Sequence, residues 1–330
     1  MYFKYGYFIA ICLVSCFVVI TPVMLADKKT AFGDGLTQEQ LTASLGNRKA
    51  DLLIKMIPTV VTTETLQNGQ KPILEFRLFD SNTNKSFTHV TYYIIIEKNS
   101  KRLLAGFFHS HNGDLRIRID PNNSSNVSVS GQTEPLLGTY VGTAQNPVIV
   151  LGPVLIEGGL YHFIVRIATV DSDNTLLPDN QEPIYDSWLS VGITLDKTII
   201  YNGTQIPIKL ISYYDKISNF DFKPTMKLFS WSMPFNWNLT RIKQQPIFVH
   251  EEIRLPSSWH GFGDSTHFDA TVNGHTLANS SMAIDPFSVP NMTVIHYLVN
   301  KNEIIKLAQE ESLNKTSAGR MLFTLSPKTS

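Results

Sequence analysis

Beyond Cys16 this 330-residue chain has no cysteine, and its only two, Cys12 and Cys16, fall inside one apolar N-terminal run. Disulfides are therefore excluded as a source of stability in everything downstream. Blue-copper and thiolate zinc sites are excluded with them, because both need a cysteine ligand. Excess charge of one sign is missing too: 28 basic and 28 acidic residues balance to zero. Without a basic stripe the chain lacks the electrostatic footprint of a nucleic-acid binder. It also lacks a glycine-rich phosphate loop and a nucleophile elbow. Helix-period stretches are few. What is present is 43% hydrophobic residues, enough for a packed core. Val, Ile, Thr, Tyr and Phe are frequent among them, and these favour strands.

Residues 5–26 are uncharged and mostly apolar, and they follow Lys4. A helix of roughly 22 residues at ~1.5 Å each crosses a hydrocarbon core of ~30 Å. Two readings fit. A signal peptide would be cleaved near Ala26; a membrane anchor would be retained. Met24 stands where a signal peptidase favours a small residue, and the run exceeds the usual 7–15-residue apolar region, which tilts the balance toward an anchor. Leu13-Val14-Ser15-Cys16 has the form of a lipobox, but the apolar run continues about ten residues past it. Two small apolar residues in a membrane helix is the plainer account. The expectation is a membrane contact through residues 5–26, with the rest outside the cytoplasm. Nine N-x-S/T sequons, at Asn84, Asn122, Asn123, Asn126, Asn202, Asn238, Asn279, Asn291 and Asn314, fit a glycosylated outer surface.

Residues 27–50 are polar and read as a stalk or linker with one weak helical stretch at 37–45. From residue 51 the texture changes to short apolar strands separated by turn signals, the spacing of a sandwich or barrel. A first domain is expected over 51–195, with strands at 52–56, 73–79, 90–97, 103–109, 115–119, 147–156, 160–170 and 187–195. Residues 90–96 are apolar on both faces, which predicts a central strand. Residues 121–131 read as an exposed loop. A second domain is expected over 196–330. Its longest alternation, 229–239, puts Phe229, Trp231, Met233, Phe235, Trp237 and Leu239 on one face. Core packing accounts for these rings better than a sugar-stacking platform. Pro234 predicts an edge or a bend there. A short helix at 303–311, capped by Asn302, and a last strand at 321–325 complete it. The fold class expected is all-β: two β-sandwich domains, Ig-like or jelly-roll-like, behind one N-terminal transmembrane or signal helix.

Asn112-Gly113 between two apolar runs is a strong signal for a hairpin with a type I′ turn. In that register His111 faces Asp114 and His109 faces Arg116. Two histidines at i and i+2, with Asp114 as a third ligand, can hold copper, zinc or nickel. The Arg116 charge opposes this, and the plain alternative is a polar hairpin tip. A second constellation is Asp171, Asp173 and Glu182, at positions 1, 3 and 12 of a calcium-loop spacing. Leu176 replaces the turn glycine and strand pattern flanks the loop, so an EF-hand is excluded. A calcium ion in a β-loop and a plain solvated acidic loop remain. Phe262-Gly263-Asp264-Ser265 resembles the nucleophile block of GDSL-type esterases, but no D-x-x-H motif follows it.

The run THVTYYIIIEKNSKRLLAGFFHSHNGDLRIRI, followed by GGLYHFIVRIATVD, resembles Ig-like sandwich repeats of secreted archaeal cell-envelope proteins. The likeness spans roughly residues 73–171. It implies a fold and a compartment, and no activity. The leading functional expectation is a non-catalytic binding or structural protein of the envelope, acting with other envelope proteins. The alternative is a His-based copper or zinc protein. A third is an extracytoplasmic hydrolase with a site assembled from distant strands, to which no motif points.

Overall fold

The structure, a computed structural model, describes residues 31–32, 37–245, 247–260, 262, 265, 267–314 and 319–328. The apolar run at 5–26, with both cysteines, lies outside them, as do Gly263 and Asp264 of the esterase-like block. Among the described residues no helix is long and apolar enough to cross a membrane. The described residues are mostly β and form four sheets, with no closed barrel among them.

Two sheets come from the first half of the chain. One runs in the order Ala31–Phe32, Ile184–Val191, Gly159–Thr169, Val90–Lys98, Lys101–Ser110, Thr139–Val141, Gln132–Glu134. The strand that is apolar on both faces, Val90–Lys98, is its middle strand. The other runs Gln38–Leu45, Arg48–Ile57, Ile73–Asp80, Asp114–Pro121, Val148–Gly152, Ser128–Ser130. One hydrophobic core joins them: the Phe76 ring of the second sheet lies 6.3 Å from Tyr92 and 6.5 Å from Phe163 of the first. Each ring buried there contributes roughly 1.5–3 kcal/mol.

The second half builds two five-stranded sheets around a separate core. One holds, in order, Ile193–Tyr201, Thr204–Ser212, Val249–Pro256, Met292–Val299 and Met282–Asp285. In the other, Leu228–Pro234 pairs with both Ser218–Lys223 and Arg320–Pro327. Trp231 stacks on Phe323 at 5.4 Å and meets Tyr297 of the facing sheet edge-on at 5.3 Å.

Several local expectations change. Residues 37–45 are not helical. They form the strand Gln38–Leu45, whose burial alternates strictly with Leu41, Ala43 and Leu45 inward. Pairing with Arg48–Ile57 outweighs a weak helical preference, so the segment expected as a stalk joins a sheet from Gln38 onward. The long alternation at 229–239 ends as a strand at Pro234 and lies inside its sheet, not at an edge. Asn238 then caps the helix Leu239–Gln244, accepting from Arg241 N–H at 3.0 Å. The helix Lys301–Asn314 is capped by Asn300, which accepts from Glu303 N–H at 3.1 Å, and not by Asn302.

Candidate metal centre

The turn that sets the site lies at Asn99-Ser100, not at Asn112-Gly113. Asn99 and Ser100 both have left-handed backbone, φ 50° and 63°, as a type I′ hairpin turn requires. They join Val90–Lys98 to Lys101–Ser110. A bulge beside Ile96 then shifts the register by one, so that Thr91 pairs with His109 and Val90 with Ser110. His89, just before its strand, donates its backbone N–H to His111 O at 3.1 Å. Three histidines, His89, His109 and His111, are thereby gathered at one end of the sheet.

Asn112-Gly113 does something different. It carries the chain from one sheet to the other, and Asp114–Pro121 pairs with Ile73–Asp80. Gly113 has φ 79°, and its carbonyl accepts from Leu78 N–H and from the Tyr92 hydroxyl at 2.7 Å. Gly113 is buried between the sheets while His111 and Asn112 stay exposed, so the turn links two sheets and does not close a hairpin. The expected pairing of His111 with Asp114 and of His109 with Arg116 is therefore absent. Asp114 faces Arg77, Oδ1 to Nε 3.7 Å, and Arg116 pairs with Glu75 at 2.7 Å. The guanidinium expected to repel a cation beside His109 is on another sheet.

Asp173 supplies the carboxylate instead. Its loop follows Gly159–Thr169, and the left-handed Asp171 (φ 61°) binds Thr88 O through its N–H at 2.7 Å. That bond draws the loop back beside His89. Asp173 Oδ2 lies 2.8 Å from His89 Nδ1, and Oδ1 lies 3.2 Å from His109 Nε2. His109 Nε2 is also 3.3 Å from His111 Nδ1. One ligand atom from each of these four residues falls within 4.8 Å of the others. His89, like Asp171, holds left-handed backbone (φ 50°), which costs a non-glycine residue of order 1–3 kcal/mol.

His109 is fully buried on the outward face of its sheet. A polar row crosses three strands to reach it: Thr169 Oγ1 to Thr91 Oγ1 is 2.8 Å, and Thr91 Oγ1 to His109 Nδ1 is 3.0 Å. That row orients the ring with Nε2 toward Asp173 and His111. Burial pushes the His109 imidazole below its ordinary pKa, against the pull of the Asp173 carboxylate. The neutral ring is the metal-ligating form. Outside it, Glu134 Oε2 stands 3.6 Å from His111 Nε2.

This donor set is imidazole-rich with one carboxylate. It suits zinc, copper(II) or nickel, and not calcium, which takes oxygen ligands. Ligand atoms around a tetrahedral zinc, with bonds of ~2.0–2.1 Å, stand ~3.3–3.4 Å apart. The two contacts of His109 Nε2 match that spacing. The wider pairs involve His89 and His111, whose side chains are 41% and 49% exposed and free to close in.

The three residues expected to bind calcium go to different partners. Asp171 pairs with Arg48 at 2.9 Å, Asp173 joins the histidines, and Glu182 pairs with Arg166. The sequons Asn84, Asn123, Asn126, Asn202, Asn238, Asn279 and Asn291 are exposed, and Asn122 is half-buried. A cavity of about 850 Å³ lies elsewhere, with His162 and Trp188 among its lining residues. His162 there binds Asp186 at 2.9 Å and stacks on Trp188 at 4.4 Å. Among the described residues its polar partners are Asp186 and Glu97, and no hydroxyl or thiol hydrogen-bonds it. No family model, curated protein or solved structure matches this chain.

Proposed function

We propose that this is a non-catalytic, extracytoplasmic envelope protein whose first β-sandwich binds a divalent transition-metal ion, zinc or copper, through His89, His109, His111 and Asp173. The observation that carries the reading is Asp173 Oδ1. It is buried, accepts no hydrogen bond among the described residues and faces His109 Nε2 at 3.2 Å. A buried carboxylate oxygen left so costs ~1–3 kcal/mol or more, which a bound cation removes. Paired sheets around one core in each half support the finer assignment of two Ig-like or jelly-roll-like sandwiches meeting near residue 195. Export behind residues 5–26 is supported by the apolar run, and a glycosylated surface by the exposed sequons. Docking to other envelope proteins completes the reading.

Elemental analysis of the full-length chain, beside His109→Ala/His111→Ala, tests it. The expected result is that the double variant carries about one zinc or copper per chain fewer than wild type. Equal metal in both would sink it.

A further inference from the structure

We propose that the second half of the chain carries its own divalent transition-metal site, formed by His250 Nε2, His296 Nδ1 and Glu252 Oε1. This goes beyond the first site and shares no residue with it. His250 and Glu252 stand at i and i+2 on Val249–Pro256, so their side chains emerge on one face of the sheet. His296 lies directly opposite Glu252 on Met292–Val299. The neighbouring Glu251 and Ile253 point the other way, and both are fully buried.

The three donor atoms form a nearly regular triangle. His250 Nε2 to His296 Nδ1 is 3.1 Å, and each of these nitrogens is 3.6 Å from Glu252 Oε1. A point about 2 Å from all three lies between them, close to the ~2.0–2.1 Å of a zinc–nitrogen bond. Two imidazoles and one carboxylate on one side of an ion are the donors of catalytic zinc and non-haem iron centres. Calcium and magnesium would not choose them. The two imidazoles are each 21% exposed. The remaining coordination positions therefore open toward solvent, for water or a small anionic ligand.

A supporting shell holds the triangle. Arg254 binds Glu252 Oε2 through Nε at 3.1 Å and Nη2 at 2.8 Å, which turns Oε1 toward the histidines. The Tyr213 hydroxyl donates to Glu252 Oε1 at 3.2 Å, and the Tyr213 ring stacks on His250 at 4.6 Å, 15° from parallel. Carboxylate ligands of metals are commonly tethered in this way, and loss of a tether costs ~10–100-fold in metal affinity.

The test is equilibrium dialysis of the full-length chain against zinc, followed by elemental analysis. Four forms are compared: wild type, His109→Ala/His111→Ala, His250→Ala/His296→Ala, and all four changes together. Wild type should bind two zinc ions, each pair variant one, and the quadruple variant none. Zinc content left unchanged by His250→Ala/His296→Ala, in either background, overturns the proposal and leaves the His250–His296 contact as a hydrogen bond alone. Tyr213→Phe guards against misfolding of the alanine pair. It keeps the stacked ring and removes only the hydroxyl. We expect about tenfold weaker zinc binding at this site, in a protein that without zinc still unfolds in one cooperative transition at a slightly lower melting temperature. Unaltered affinity in Tyr213→Phe would likewise overturn the proposal. Because the first-site pair is varied separately, failure of either site reads out by itself.

Discussion

Asp173 Oδ1 stands 3.2 Å from His109 Nε2, and neither residue reached its place through the hairpin the sequence advertises. His109 arrives on the strand Lys101–Ser110, and Asp173 arrives on the loop after Gly159–Thr169. Both meet where Thr169, Thr91 and His109 form a hydrogen-bonded row across three strands. The sheet thus presents one buried ring nitrogen to a buried carboxylate oxygen, with two more accessible histidines alongside.

Replacing Asp173 by Asn keeps the shape and removes the charge. Zinc affinity at the first site should fall by about 100-fold or more, since loss of a ligand exceeds loss of a supporting contact. Zinc at a hundred times the first site's dissociation constant should add about 2.7 kcal/mol of stability through that site. Thermal unfolding with and without zinc, in a His250→Ala/His296→Ala background so that only the first site binds, measures both, and Asp173→Asn there should show little zinc-dependent gain.

Thr91→Val removes the hydroxyl that contacts His109 Nδ1 at 3.0 Å and Thr169 Oγ1 at 2.8 Å. Metal affinity should drop by about tenfold while His109 stays in place. Stability without metal should fall by about 1 kcal/mol. Zinc titration and chemical denaturation of the same sample separate the two effects.

Gly113→Ala should be among the most damaging single changes. Its backbone is left-handed, and an added methyl would lie 2.2 Å from Phe87 O. A loss of about 2–4 kcal/mol is expected in denaturant unfolding. Gly46→Ala makes the contrast: it is also left-handed but meets nothing within 4 Å, and it should cost about 1 kcal/mol.

Asp51 gives the fold an acid-sensitive contact away from both proposed metal sites. Burial opposes its charge, but hydrogen bonds from Ser81, Thr42 and Gln40 outweigh that and hold its carboxyl below the ordinary value of 3.8. A folded pKa below the unfolded one means the stabilisation is present above pH 3.8 and fades as pH falls through the folded value. Asp51→Asn should therefore lose about 1–2 kcal/mol at neutral pH. Melting curves should show that gap closing below about pH 4.

Much of this fold was legible in period-two alternation. The central place of Val90–Lys98 follows from its two apolar faces, and the buried row Phe229, Trp231, Met233, Phe235 follows from spacing alone. The site was legible only in part. His109 and His111 stand out by their i, i+2 spacing, but the stronger turn signal, Asn112-Gly113, belongs to a link between sheets. Its glycine is required by a close approach of Phe87, which only the folded chain reveals. Reading Asn99-Ser100 as the hairpin would have brought His89 near, yet one residue out of register. The bulge beside Ile96 corrects the face, and no residue type there announces it. Asp173 is a long-range partner, set by a left-handed Asp171 that local pattern does not mark.

Anomalous diffraction at the zinc edge, from crystals of the full-length chain grown with zinc, addresses the central claim most directly. A peak about 2 Å from both His109 Nε2 and Asp173 Oδ1, with His111 and His89 drawn toward it, is the predicted result. A map without a peak there, and the four side chains hydrogen-bonding only one another, would contradict it.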